Sequence, residues 1–78
     1  MKLKKFIKQI DPVIDVIIWG SKHEYPLYEG AMFDIPKNIM KYKIGRTDGS
    51  SEEPIFIITE INKYQATLPI IVINVIED

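Results

Sequence analysis

The sequence has no cysteine and a single histidine, His23. Disulfides, thiolate metal sites and thiol nucleophiles are therefore excluded. A chain without cysteine fits a reducing compartment, and the expected location is cytoplasmic. Arginine is as scarce, with Arg46 alone against nine lysines. Alanine and leucine, the best apolar helix formers, number only two and three. No run approaches the roughly eighteen apolar residues of a membrane helix. The basic N-terminal stretch has no continuous apolar core and no small-residue cleavage site, so it does not read as a secretory signal. A net charge of -1 gives no global field to draw in polyanions.

What the sequence has in quantity is isoleucine, sixteen of 78 residues. Its branched Cβ is stiff at χ1 and favours strands over helices. The length suits one domain, residues 1–78, which buries only about 60% of its unfolded surface.

Along the chain, Leu3, Phe6, Ile7 and Ile10 follow the spacing of one helical face, with lysines around the rest. The spacing predicts a helix over 1–10, stopped at Asp11-Pro12 because the residue before proline leaves the helical region. Strands are expected at 13–19, 25–32, 41–47, 55–61 and 70–76, and Gly30 marks a bulge or a close backbone approach. Asp34 is a good N-cap for a short helical turn running to Met40. Residues 62–69 read as a connection. Asp48, Ser50, Glu52 and Glu53 alternate oxygen atoms but lack the rest of a calcium loop, so they read as a solvated turn and no metal is expected.

The strand faces carry the most information. In 13–19 and in 70–76 both faces are largely apolar, broken by Asp15 and Asn74. A half-solvated antiparallel strand alternates cleanly instead. One short helix and one helical turn cannot cover both faces of a five-stranded sheet. Either the sheet curls toward a barrel and hides one face inside, or the second face joins a homodimer, or it binds another molecule. The expected fold is thus α+β: a short N-terminal helix on a curved, mostly antiparallel five-stranded sheet, with a barrel-like closure as one outcome.

The inventory of reactive groups is thin. His23 lacks an evident nucleophile and orienting partner, and the glycines at 20, 30, 45 and 49 form no phosphate loop. No enzyme activity and no cofactor are expected. Trp19, Tyr25 and Tyr28 bracket the first turn with His23 between them. Tryptophan and tyrosine bury large areas at low entropic cost, so these four are the candidate protein-binding residues. Lys37, Lys41, Tyr42, Lys43 and Arg46 are the alternative, a strand face that tracks a nucleic-acid backbone, with Lys41 and Lys43 side by side. The lysines of the first helix suit a membrane surface or a phosphate if its apolar stripe is not simply docked on the sheet.

A helix ending at Ile10-Asp11, a strand, then Leu27-Tyr28-Glu29-Gly30, then Asp34-Ile35-Pro36 with Ile39-Met40 resembles a group of small accessory proteins from bacteriophages and conjugative elements of Gram-positive bacteria. The resemblance spans roughly residues 1–61, and the strand at 70–76 is an addition to that pattern. It implies a non-enzymatic role in which the chain occupies, and so inhibits, a partner protein. Binding of nucleic acid and a purely structural homo-oligomer are the alternatives.

Overall fold

A computed structural model describes residues 1–47, 52–61 and 63–77. Among the described residues the one α-helix, α1, covers Leu3–Ile7. It is shorter than the predicted 1–10 because the chain continues in turns, with Gln9 and Ile10 donating to the carbonyls of Phe6 and Ile7. No side chain caps its start. Its first free N–H groups are met instead by the backbone of a distant segment: Leu3 donates to the Tyr42 carbonyl at 2.9 Å and Lys4 to that of Met40 at 3.1 Å. Helix ends need such partners, so these bonds fasten α1 to residues 40–42.

Five strands follow: β1 (Asp15–Trp19), β2 (Tyr28–Ala31), β3 (Lys43–Ile44), β4 (Ile55–Ile61) and β5 (Thr67–Ile76). β4 lies where the alternation of bulky residues places it. β3 keeps only two residues of the expected 41–47. β5 starts three residues earlier than predicted and absorbs Pro69. The expected helical turn at 34–40 is two short 3-10 turns, Met32–Asp34 and Lys37–Ile39. Asp34 closes the first of these and caps neither, since the second starts after Pro36 without a side-chain cap.

β5 is the centre of the sheet. It pairs with β1 in parallel, and with β4 and β3 in antiparallel fashion along its other edge. β2 lies outside β1. The sheet is therefore mixed and open. A barrel requires its two edges to meet, but β2 pairs only with β1 and β4 only with β5, so the barrel-like closure expected from the two-sided strands does not occur.

Pro54 and Asn74 explain how β5 changes partner. Asn74 donates its N–H to the Pro54 carbonyl at 2.8 Å. Pro54 has no N–H to return, and the Asn74 carbonyl accepts from Gly45 instead, at 3.0 Å. Pro69 is tolerated for a related reason. Its nitrogen points to the β1 side of β5, and pairing with β1 begins only at Ile70.

Side chains alternate across the sheet. One face carries Val16, Ile18, Ile71, Ile73 and Val75, and packs beneath Leu3 of α1 and Met32, Ile35 and Ile39 of the 3-10 turns. Phe6, Ile7 and Ile10 complete the docked stripe, as their spacing predicts. Among the described residues, no helix or 3-10 turn packs on the other face in this way.

Candidate functional site

The uncovered face is built by register. Val72 lies between Ile17 of β1 and Phe56 of β4, and Ile70 between Asp15 and Ile58. Trp19 stands beside Asn74, and Leu68 opposite Glu60. Val72 and Ile70 are buried, at 3% and 7% exposure, yet they are not part of the core cluster. Among the described residues, the helix and the 3-10 turns that form the core layer pack on the opposite face. Phe56 and Leu68 remain 42% and 45% exposed. The charged groups on this face are mostly acidic: Asp15, Glu29 and Glu60, all exposed, against Lys43.

Basic charge collects elsewhere. The backbone bonds from Leu3 and Lys4 to residues 40–42 bring α1 next to the second 3-10 turn. Lys4, Lys37 and Met40 then line one shallow depression of about 270 Å³, and Lys2, Lys4, Lys5 and Lys8 line another. Two basic segments far apart in sequence thus become neighbours. Net charge conceals this separation of sign. The strand face expected to align Lys41 with Lys43 is absent, because Lys41 precedes the two-residue β3. Lys43 pairs with Lys2 in an isolated bridge. Tyr42 packs against the core, and Lys41 Nζ lies 5.8 Å from its ring centroid. Arg46 is only 21% exposed and meets Glu52 at 3.5 Å.

The four aromatic-turn candidates separate in a similar way. Trp19 is on the open face. Tyr28 is on the covered face opposite Ile18, half-buried against the core. Its hydroxyl donates to the Ala31 carbonyl at 2.6 Å. Burial, and then the nearby carboxylates of Asp34 and Asp15, push this phenol above its usual value. Tyr25 is exposed, with its ring 5.4 Å from that of His23.

His23 has a partner that the sequence concealed. Its Nδ1 lies 3.0 Å from Glu77 Oε1, and the same carboxylate accepts the Lys22 N–H at 2.9 Å. The Glu77 N–H donates to Ser21 Oγ, also at 2.9 Å. The Glu77 side chain is 7% exposed. The His23 hydrogen bond holds this carboxyl below its ordinary value, helped by the Lys22 N–H and by both positive charges, while desolvation opposes them. Gly20 leaves room for this carboxylate: a Cβ at that position would overlap Glu77 Oε1 and push the side chain aside.

Ser21, His23 and Glu77 are the residue types of a nucleophile, base and orienting acid. Their arrangement differs, since the Ser21 hydroxyl meets the Glu77 backbone and not the imidazole. The geometry is that of a clasp joining the loop after β1 to the end of β5. Two neighbouring parallel strands place their following residues at the same end of the sheet, and the sequence alone did not reveal that β1 and β5 run parallel. Among the described residues, no three His, Asp or Glu side chains gather as a metal site, and no helix is long and apolar enough to cross a membrane. Asp48 and Ser50 of the acidic loop lie outside the described residues. No family model matches this chain, and no curated protein or solved structure matches it.

Proposed function

We propose that this protein works by stoichiometric binding of another protein, without catalysing a reaction, and that the uncovered sheet face is the docking surface. The observation supporting this reading is the placement of Ile70 and Val72. They lie in the middle of an apolar face, flanked by the exposed Phe56 and Leu68, over which no helix or 3-10 turn of the core packs among the described residues. Contiguous apolar surface with a polar rim is the usual composition of an interaction site. Trp19 lies at its edge as a large anchor of the kind that dominates binding energies. The acidic rim of Asp15, Glu29 and Glu60 selects a partner whose apolar patch is flanked by lysine or arginine, because like charges across an interface are costly. Of the residues singled out from sequence, Trp19 belongs to this surface, His23 is held by Glu77 with Tyr25 beside it in the loop after β1, and Tyr28 serves the fold.

A second reading rests on the basic surface. Lys2, Lys4, Lys5 and Lys8 of the N-terminal segment lie next to Lys37, and together they suit a polyanion such as a nucleic-acid backbone, with affinity that falls steeply as salt rises.

One comparison separates the two. A tagged chain is used for affinity capture after nuclease treatment, beside a Phe56→Asp, Leu68→Asp chain and a Lys4→Glu, Lys5→Glu chain. All four positions are exposed, so the fold is expected to survive, which circular dichroism checks. Protein docking on the open face predicts one stoichiometric partner that the aspartates abolish and the glutamates spare. The reverse pattern, or material lost with nuclease, favours the polyanion.

A further inference from the structure

We propose that a second copy of this chain pairs with the outer edge of β4, so that two five-stranded sheets become one continuous ten-stranded sheet. This inference is independent of what occupies the open face. It concerns the edge of the sheet.

The backbone makes the edge available. The bond from the Asn74 N–H to the Pro54 carbonyl fixes the alternation of the β4–β5 ladder. Even-numbered residues of β4 therefore direct their N–H and carbonyl groups to β5. Ile55, Ile57, Thr59 and Ile61 direct theirs outward, where β4 has no other strand neighbour among the described residues. Natural edge strands are shortened, bent, or guarded by lysine and proline. β2, at the opposite edge, follows that rule. It has four residues, and Gly30 within it adopts φ 151°. β4 does not follow it. It has seven residues in unbroken register with β5, no lysine, no proline and one charge, Glu60.

The side chains specify the kind of occupant. Ile57 and Ile61 are each 68% exposed on the covered side of the sheet, beyond the reach of α1, while Phe56 is 42% exposed on the open side. A partner laid on one face leaves the other wet. An added strand covers both, because its side chains alternate as well.

The register identifies the occupant as a second copy. Full antiparallel overlap of Ile55–Ile61 with itself places the two-fold axis at Ile58. The outward-facing residues then pair Ile55 with Ile61 and Ile57 with Thr59 of the second copy, which suits hydrogen-bonded pairs. Each Glu60 lies opposite a Phe56, so the like charges stay apart. An interface that repeats each contact about one axis is closed and does not propagate into fibres.

The absence of native cysteine makes the test direct. Phe56→Cys, Ile58→Cys and Glu60→Cys chains are made separately, mildly oxidised, and compared with the unmodified chain in sedimentation analysis. At a non-hydrogen-bonded pair the two Ile58 Cα atoms lie about 4.5 Å apart, within disulfide reach. The two copies of residue 56, or of residue 60, are offset by four residues, roughly 13 Å, and cannot bridge. The proposal predicts a two-chain mass for the unmodified protein and a disulfide dimer from Ile58→Cys alone. Thr59→Pro guards against a folding artefact, because it removes an outward N–H and leaves the pairing with β5 intact. It is expected to give a folded single chain. A single-chain mass for the unmodified protein at all concentrations, equal bridging at all three cysteines, or a folded Thr59→Pro chain that still dimerises would overturn the proposal.

Discussion

Asn74 gives the Pro54 carbonyl two hydrogen bonds, one from its backbone N–H at 2.8 Å and one from its side-chain Nδ2 at 3.2 Å. The same residue lies next to Trp19 and offers its own carbonyl to Gly45. It is the point where β5 passes from β4 to β3. Asn74→Ala removes the amide bond and leaves the ladder bond in place. The expected cost is about 1 kcal/mol, the usual net worth of one hydrogen bond. For a domain of this size that lowers Tm by roughly 4–8 °C, which a thermal melt followed by circular dichroism measures.

The His23–Glu77 clasp predicts an acid dependence of known sign. Glu77 titrates below its ordinary value in the folded chain, so the unfolded state binds its proton more readily. The stabilisation is complete above the ordinary glutamate value of 4.5 and is lost as pH falls through the lower folded value. Urea midpoints measured from about pH 6 down to pH 3 are expected to decline more steeply for the native chain than for His23→Ala. The Glu77 carboxyl resonance should also titrate at higher pH in His23→Ala. Equal acid dependence of the two chains would show that the clasp is not formed.

Two glycines are predicted to resist substitution for different reasons. At Gly30, φ of 151° is unfavourable for any residue with a Cβ, and the Tyr28 hydroxyl sits 2.9 Å from where that atom would be. Gly30→Ala is expected to cost about 1–3 kcal/mol, the range for a forced backbone conformation. At Gly20, a methyl group displaces the Glu77 carboxylate. Gly20→Ala should therefore destabilise the protein and also flatten its acid dependence, as His23→Ala does. Gly30→Ala should leave that dependence unchanged.

The two sheet faces should respond differently to truncation. Ile73 is fully buried beneath α1, and Ile73→Ala is expected to cost about 2–5 kcal/mol through lost burial and a residual cavity. Leu68 is 45% exposed on the open face, and Leu68→Ser should change stability by no more than about 0.5 kcal/mol. Urea denaturation of the two variants makes the comparison. A large loss from Leu68→Ser would mean that the open face is covered within the monomer.

Much of this architecture is legible in the sequence because it depends on local pattern. The stripe Leu3, Phe6, Ile7 and Ile10 states its own face, and the isoleucine run from 55 to 61 states its own strand. The two-sided character of 13–19 and 70–76 correctly signals a second apolar face. Sequence cannot say that this face stays open, because closure depends on which strands become edges. That order follows from the parallel pairing of β1 with β5, a contact between residues more than fifty positions apart. The same pairing creates the His23–Glu77 clasp and hides it from a linear reading. The lysine groups of α1 and of residues 37–43 are each visible, but their adjacency depends on backbone bonds from Leu3 and Lys4. Tyr28 reads as one of the aromatics that bracket the first turn with Trp19. The register sends it to the opposite face, because the eight intervening residues include a loop that resets the alternation.

The central claim is that the open face, and not the basic surface, meets the partner. The most direct measurement places a photo-reactive amino acid at Ile17, half-buried on the open face, and separately at Lys5, exposed on α1, and illuminates the intact chain in the cell. The account predicts one discrete protein adduct from position 17 and none from position 5. An adduct from position 5 alone, or none from position 17, would contradict it.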